Sequence, residues 1–257
     1  MHFSTADPAN FLDWLDLKAA TRVARTRLEE DYVMPELDRS EDIRRGVDFG
    51  LALLGGILTF PVMLATAAAI VLFQGRPVFF TQTRAGRYCK PFKILKFCSM
   101  PEIRDGDGNL LGDEDRTTRF GRLLRRTRLD ELPEFWNVLK GDMAIVGPRP
   151  LLPETIRDMD ASGAIRCSVR PGLTGWAQIS GGIKLNNNDK LALDLWYIEH
   201  RSFLLDLKII ASTPAFLVLG DRHNKDRLRA ARICRNLASN DNLKLPGGRQ
   251  TLSVRRK

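Results

Sequence analysis

The residues best suited to chemistry lie in one stretch from Arg125 to Pro150, with the sequence RRTRLDELPEFWNVLKGDMAIVGPRP. Two adjacent carboxylates, Asp130 and Glu131, stand in this stretch together with four arginines: Arg125, Arg126, Arg128 and Arg149. Carboxylate oxygens are ligands that Mg²⁺ prefers, whereas guanidinium groups bind phosphate oxygens through paired hydrogen bonds. The stretch therefore predicts phosphate chemistry that uses Mg²⁺, with Asp130 and Glu131 as metal ligands.

The carboxylates are followed by Pro133, a residue favoured at the first position of a helix. The pattern predicts a short helix that runs to about Leu139 and stops at Gly141, and its N-terminus favours an anion. Two other interpretations remain open, a simple helix cap and a solvated salt-bridge cluster. The salt-bridge cluster leaves unexplained the Gly-Pro-Arg-Pro segment that follows, which is suited to direct Arg149 at an oxyanion.

Composition limits the class of protein. A chain of 257 residues with 44% hydrophobic residues predicts one domain with a core and short tails. Residues 221–257 carry eleven Lys/Arg and three Asp/Glu, so this tail supplies +8 of the formal charge of +9. Beside a membrane segment, a basic tail predicts attraction to anionic lipids, and no zinc-finger or RNA-recognition motif supports nucleic-acid binding. The four cysteines are dispersed without a C-x-x-C motif, which argues against a disulfide framework.

The segment from Phe49 to Phe73 is a predicted membrane element. It has no charged residue over 25 positions, a length that can reach across a hydrocarbon core. Pro61 lies at its middle, where it removes a backbone hydrogen bond, and basic residues flank both ends without a bias. We predict a re-entrant helix-break-helix hairpin over residues 46–74, kinked at Pro61. An ordinary kinked single span is the alternative.

The remaining chain predicts an α/β fold that is mostly helical with a small β hairpin. Apolar runs at Val78–Phe80 and Phe92–Phe97 indicate the two strands. An acidic, solvated loop is expected over 101–116, and Thr118 is expected to cap the helix that follows. An amphipathic stretch follows at 154–165, and further helices are predicted over 189–202 and 203–219. The last is too short to span a membrane, and an interfacial helix and a buried core helix both remain open.

These elements divide the chain into four parts. Residues 1–45 form a polar, amphipathic arm that lies either on the domain or on the bilayer surface. Residues 46–74 form the membrane helix, and residues 75–220 form a catalytic domain. The basic tail at 221–257 is expected to be helical over 222–237.

Several motifs together resemble one family. The motifs are Pro77–Gln82, Lys96–Phe97, Leu129–Pro133, Asn137–Met143, Gly147–Pro150 and Arg170–Gln178. In this order they resemble the bacterial sugar transferases, the monotopic polyprenyl-phosphate phosphoglycosyl transferases. The resemblance covers about Arg44 to Gly220. A single long apolar segment is typical of the family's minimal form.

The resemblance implies a fold and a reaction. The fold is a re-entrant helix kinked at Pro61 beneath a domain on the cytoplasmic face of the bacterial inner membrane. The reaction moves a phosphosugar from a nucleotide sugar, usually UDP-linked, to undecaprenyl phosphate, with UMP released and Mg²⁺ required. Asp130 would form an aspartyl-phosphosugar intermediate, and Glu131 would be a metal ligand or an acid/base group. The positions implied to contact phosphate or substrate are Lys96, Arg125, Pro148, Arg149 and Arg170.

The chain departs from the family pattern at several positions. Phe60 stands where serine is frequent, Cys98-Ser99 where Arg-Thr is common, and Cys167 where histidine is usual. Ser180-Gly181-Gly182 replaces Asn-Gly-Arg. The missing arginine and histidine concern sugar or nucleotide recognition rather than the Asp-Glu pair.

Two other functions are compatible with parts of the sequence. A non-catalytic relative that binds polyprenyl phosphate or a partner enzyme at the membrane is the first, and the retained Asp130 and Glu131 argue against it. A basic nucleic-acid-binding protein is the second, and it leaves the apolar segment unexplained.

Overall fold

The structure is a computed structural model that describes residues 39–101, 105–106, 112, 116–219 and 226–232. Most of the predicted N-terminal arm, most of the acidic loop and most of the basic tail lie outside the described residues. Residues from Arg45 onward belong to one compact unit of the chain.

The first helix, α1, runs from Arg39 to Phe73 over 35 residues, with Pro61 inside it. It is long and apolar enough to cross a membrane. The helix continues through Pro61, so the predicted break in secondary structure is absent. A proline removes its own N–H donor and bends a helix, but the flanking turns keep their hydrogen bonds and the helix continues. The re-entrant path remains a prediction.

The N-terminal half of α1 is attached to the domain by polar contacts. Arg45 donates to the carbonyl oxygens of Val138 and Leu139 at 2.6 and 2.7 Å. The carboxylate of Asp48 accepts a hydrogen bond from the backbone N–H of Ile145 at 2.9 Å. The charged residues that flank the apolar segment therefore bind backbone groups of the domain.

The C-terminal half of α1 packs on a different part of the same domain. Ile70 is fully buried in an apolar cluster with Phe97 and Leu124. Beyond the helix, the side-chain amide of Gln74 and the hydroxyl of Thr118 are hydrogen-bonded at 3.0 Å. The side of α1 that faces away from these contacts is apolar and exposed, with Leu54, Ile57, Leu58, Phe60, Leu64 and Leu72 among its residues.

The predicted hairpin and capped helix are present. Strands β1 (Phe79–Ala85) and β2 (Pro91–Phe97) pair antiparallel, with Phe79 opposite Phe97. Helix α2 (Arg119–Thr127) begins at Thr118, whose side chain accepts a hydrogen bond from Gly121 N at 2.9 Å. Both elements confirm the sequence prediction, and β1 continues five residues beyond the predicted apolar run whereas β2 begins one residue earlier than predicted.

The segment that carries the Asp-Glu pair differs in one respect from the prediction. Residues Leu129–Glu134 form a 3₁₀ helix, and the α-helix that follows, α3, is confined to Phe135–Lys140. Pro133 therefore lies inside the 3₁₀ turn rather than at the start of α3. The predicted stop is confirmed, because Gly141 adopts a left-handed conformation with φ of 90° that favours glycine.

A parallel strand pair, which the sequence did not predict, holds the next segment. Strand β3 (Ala144–Val146) pairs with β4 (Gly172–Thr174). Because the pair is parallel, the segment that follows β3 lies close to the segment that follows β4. The Gly147 N–H donates to Thr174 O, and the Gly172 N–H donates to Pro148 O, both at 2.9 Å. Neither glycine has room for a Cβ, because backbone atoms of the facing segment occupy that space.

Five more helices lie between residues 153 and 219. The amphipathic stretch 154–165 forms two helices, α4 (Pro153–Arg157) and α5 (Asp160–Arg166), and Gly163 of α5 packs directly on the backbone of Ile156. Helices α6 (Trp176–Ile179), α7 (Asn187–Glu199) and α8 (Phe203–Leu219) follow. Short 3₁₀ turns occur at Arg87–Cys89 and Gly182–Lys184.

Helix α8 is neither wholly buried nor wholly exposed. Ile209 is completely buried in the main core, whereas Phe203, Leu204 and Leu207 are exposed. This apolar outer face is typical of a helix that lies at a membrane interface. Residues 226–232 of the tail are helical, and Leu228 and Ala231 are buried in the main core.

Candidate active site

A pocket of about 320 Å³ collects most of the charged residues predicted from the sequence. Its wall includes Arg125, Arg128, Asp130, Glu131 and Arg149. The pocket therefore brings two carboxylates and three guanidinium groups into one cavity. Such a set is suited to a phosphate-bearing ligand.

Arg128 sets the path of the chain into the pocket. It ends α2 and begins the 3₁₀ helix in a left-handed conformation with φ of 58°. A positive φ is uncommon for arginine and is found mostly where the surrounding structure fixes it. The turn buries Leu129 and Leu132 partly in the apolar cluster around Leu124. As a result, the adjacent carboxylates are carried to the pocket wall on a rigid 3₁₀ turn.

Glu131 is the centre of an ion-pair network. Its Oε1 lies 2.6 Å from Arg149 and 3.1 Å from Lys96, and its Oε2 lies 3.1 Å from Arg128. Burial disfavours the charged carboxylate, but the charges of Arg149, Lys96 and Arg128 outweigh burial and hold the pKa of Glu131 well below its usual range. Glu131 is therefore ionised, and its oxygens are occupied by protein cations.

Asp130 has a different environment. It is buried, and its Oδ1 has no hydrogen-bond partner among the described residues. Burial first, and then the negative charge of Glu131, raise the pKa of Asp130, while Lys96, Arg128 and Arg149 oppose that rise. A carboxylate with few hydrogen bonds retains its basicity. Of the two acids, Asp130 is therefore the one whose oxygens are available to a ligand.

The acids of the pocket fit Mg²⁺ only in part. The described residues contain no group of three or more His, Cys, Asp or Glu placed to hold a metal ion. Mg²⁺ usually binds through one or two carboxylates and completes its shell with water and substrate phosphates. Asp130 satisfies that requirement, whereas Glu131 would have to exchange one of its cation partners. The residues present thus fit a Mg²⁺ ion that arrives with a phosphate ligand.

The other predicted substrate residues lie at varying distances from the pocket. Arg125 lines it, with its guanidinium 3.3 Å from the Thr117 hydroxyl. Lys96 lies behind the wall, between Glu131 and Glu134, 3.0 Å from Glu134. Pro148 is fully buried and shapes the backbone before Arg149. The structure does not bring Arg170 to this pocket, because its guanidinium donates to Gly141 O at 3.2 Å.

Several pocket residues were not chosen from the sequence. One of them is Arg166, which is buried and pairs with Asp194 at 2.8 Å. It also donates to the backbone oxygen of Arg149, which anchors the Gly-Pro-Arg-Pro segment. Asp194 lies 28 residues further along the chain, and no local pattern links the two positions. The remaining described residues of the wall are Leu151, Thr155, Met159, Ala177, Gln178, Gly182, Asn187, Lys190 and Leu191.

Glu134 was also missed, and it yields a prediction for stability. Burial raises the pKa of Glu134 to about 7, with Lys96 opposing the rise and Glu131 adding to it. Because the folded protein favours the protonated acid, its contribution to stability is full below the unfolded pKa and is lost as pH rises through about 7. We expect Glu134→Gln to unfold at a higher temperature than the unsubstituted chain, and we expect this difference in unfolding temperature to grow between pH 5 and 8. A constant difference across that range would contradict the assignment.

Known proteins resemble this chain over most of its length. Residues 39–220 match the family described as Bacterial sugar transferase. The chain is 46% identical over 171 residues to the uncharacterized sugar transferase EpsL of Bacillus subtilis, covering 66% of this chain and 85% of EpsL. It is 40% identical over 194 residues to a UDP-glucose:undecaprenyl-phosphate glucose-1-phosphate transferase of Caulobacter vibrioides, covering 70% and 72% of the two chains.

A third relative is longer than this chain. It is the UDP-N-acetylgalactosamine-undecaprenyl-phosphate N-acetylgalactosaminephosphotransferase of Aeromonas hydrophila, which is 38% identical over 186 residues. The match covers 69% of this chain but 44% of the Aeromonas protein, so the chain spans less than half of that relative. The matched region contains α1, the Asp-Glu pair and every residue of the pocket wall. The family resemblance is thereby confirmed, and the chain belongs to the bacterial sugar transferases, a family of transferase enzymes.

Proposed function

We propose that this chain transfers a sugar-1-phosphate group from a UDP-sugar to undecaprenyl phosphate and releases UMP. The reaction would be the first membrane step of exopolysaccharide, capsule or O-antigen synthesis. The observation that carries the proposal is Asp130, a buried carboxylate with an unpartnered oxygen in a pocket whose wall also includes four arginines. The names of the Caulobacter and Aeromonas relatives support the classes of donor and acceptor.

The mechanism is covalent catalysis in two displacements. An oxygen of ionised Asp130 attacks the sugar-bearing phosphorus of the donor, the bond from that phosphorus to the bridging oxygen breaks, and UMP leaves. A phosphate oxygen of the lipid then attacks the same phosphorus and releases the Asp130 carboxylate. The lipid phosphate is anionic near neutral pH, so the second step does not require a strong base.

The arginines and Glu131 have separate tasks in this mechanism. Arg125, Arg128 and Arg149 surround the pocket and would stabilise charge on the phosphoryl oxygens. Glu131 keeps Arg149 and Arg128 in place through its ion pairs, so it acts as a positioning residue. Asp130 would also hold Mg²⁺, which when bound supplies further neutralisation of phosphate charge.

We also propose that α1 is re-entrant and that the domain lies on the cytoplasmic face of the inner membrane. Arg45 and Ile70 both contact the domain, although 25 helical residues would separate them by about 37 Å if α1 were straight and crossed the bilayer. A spanning helix would carry one end away from the domain. Attachment of both ends to one domain favours a helix that enters and leaves by the same face.

Cysteine labelling of intact cells tests this topology. Gly46→Cys and Arg76→Cys introduce thiols near the two ends of the apolar segment, and Gly46 has open space around it. We expect a membrane-impermeant maleimide to label both variants only after the inner membrane is opened, above the level of the unsubstituted chain. Labelling of one end in intact spheroplasts would show that α1 spans the membrane.

The transferase activity is tested by UMP release. The full chain, purified in detergent, is given undecaprenyl phosphate, Mg²⁺ and separate UDP-sugars. We expect UMP with at least one sugar, and a phosphosugar adduct on the peptide that contains Asp130 when the lipid is left out. Folded protein that releases no UMP with any sugar would favour the non-catalytic relative.

A further inference from the structure

The side-chain amide of Gln178 lies in the pocket wall without a protein partner. Gln178 is 6% exposed, and neither its Nε2 nor its Oε1 makes a hydrogen bond with any described residue. A buried amide that lacks hydrogen bonds lowers stability, so such groups are uncommon in native folds. The Nε2 donor and the Oε1 acceptor of Gln178 are therefore available to a ligand of the pocket.

Local structure leaves room for this amide. Gln178 belongs to the short helix α6, whose Trp176 stacks on Trp196 of α7 with ring centroids 5.1 Å apart. A Cβ on Gly175 would lie 2.5 Å from Oε1 of Gln178, so only glycine permits the observed side-chain position. The position of Gln178 is therefore fixed by backbone packing and not by a hydrogen bond to its amide.

The surroundings of Gln178 suit a neutral, hydroxyl-rich group. The same wall carries Asn187 and Lys190 of α7 and the hydrocarbon side chains of Leu191 and Met159. Among the described residues, none that lines the pocket is aromatic. Recognition of a nucleobase usually combines hydrogen bonds to its edge with stacking on an aromatic ring. The wall therefore fits sugar hydroxyls better than a base.

We propose that Gln178 binds the sugar of the nucleotide sugar, donating from Nε2 to one hydroxyl and accepting at Oε1 from the adjacent hydroxyl. This inference rests on the proposed function, because it assumes that the pocket holds a nucleotide sugar. It adds that the sugar lies against α6 and α7. The phosphates then lie toward the arginines around Asp130.

Binding measurements separate the sugar from the nucleotide. Gln178→Met keeps the length of the side chain and removes both polar atoms. Titration calorimetry on the full chain in detergent would use UDP and four UDP-sugars, those of glucose, galactose, N-acetylglucosamine and N-acetylgalactosamine. We expect the variant to bind the preferred UDP-sugar about 30-fold more weakly, the factor for two neutral hydrogen bonds, with its affinity for UDP unchanged.

Ser180→Ala is the matched control. Ser180 is fully buried with an unpartnered hydroxyl, lies two residues away, and does not line the pocket. Loss of the Ser180 hydroxyl should leave the affinities for UDP and for the UDP-sugar unchanged. An equal loss of UDP and UDP-sugar affinity in Gln178→Met would assign the amide to the nucleotide and overturn the inference, as would no change in either affinity.

Stability supplies a second readout. Because the amide has no protein partner, Gln178→Met should unfold at the same temperature as the unsubstituted chain or at a higher one. A fall of several degrees would show that the amide supports the fold and would overturn the inference. If the chain released no UMP but bound a UDP-sugar through Gln178, the proposed transfer would fail and this inference would stand.

Discussion

UMP release by Asp130→Asn is expected to be at least about 10⁴-fold slower than release by the unsubstituted chain, the scale of loss seen when a catalytic nucleophile is removed. Asparagine preserves the shape of the side chain but has no anionic oxygen to attack phosphorus. The free Oδ1 and the raised pKa of Asp130 describe a carboxylate that is poorly solvated and therefore nucleophilic once ionised. The adduct that forms without lipid should also be absent in this variant.

The control for this variant is Asp158→Asn, which makes the same chemical change at an exposed aspartate outside the pocket. Its UMP release should stay within a few-fold of the unsubstituted chain. Substantial activity in Asp130→Asn would show that phosphosugar transfer does not pass through an aspartyl intermediate. Direct attack by the lipid phosphate on the donor would then be the better mechanism.

Glu131→Gln is expected to lower UMP release about 10²- to 10³-fold, the scale found when a positioned donor to a developing charge is lost. The substitution removes the charge that Arg149, Lys96 and Arg128 all contact, so those side chains lose their common anchor. It also changes the titration of Asp130. Loss of a negative neighbour, with the cations retained, lowers the pKa of Asp130, since Glu131 is one cause of its rise.

The pH profile distinguishes this positioning role from a general loss of structure. Activity requires ionised Asp130, so kcat/KM of the unsubstituted chain should fall as pH decreases through the raised pKa of that group. In Glu131→Gln this fall should occur at lower pH. Glu134→Gln is the matched control, because Glu134 is a buried acid on the same turn and is not among the groups that shift Asp130. If kcat/KM of Glu131→Gln fell at the same pH as that of the unsubstituted chain, the electrostatic coupling between Glu131 and Asp130 would be contradicted.

Local sequence signals predicted the elements that depend on local interactions. The Thr118 cap, the stop at Gly141 and the antiparallel hairpin each follow from a few neighbouring residues and are all present. The boundaries were less exact. The amphipathic stretch 154–165 is divided between α4 and α5, and the packing of Gly163 on Ile156 is a contact that helical periodicity does not reveal.

The composition of the pocket was predictable only on one side. The Arg125–Pro150 stretch is concentrated in the sequence, so its charges were visible as a cluster. Lys190 and Asp194 carry no such signal, because they come from a helix whose partners are distant in the chain. Gln178 was visible only as the last residue of the Arg170–Gln178 motif, without an assigned role. The β3–β4 pair and the Arg166–Asp194 ion pair bring the two sides together, and both are long-range contacts.

By itself, the sequence determined the family of this protein and predicted its reacting groups, since the Asp-Glu pair, the arginines and the uncharged segment of α1 are all visible in the order of residues. Tertiary structure decided how those groups are used. Three cations occupy Glu131 and leave Asp130 with an unpartnered oxygen, a difference between two adjacent acids that their order in the chain does not contain. The physical reason is that the pKa and availability of a carboxylate depend on burial and on charges within a few ångströms, and these are set by residues far apart in sequence.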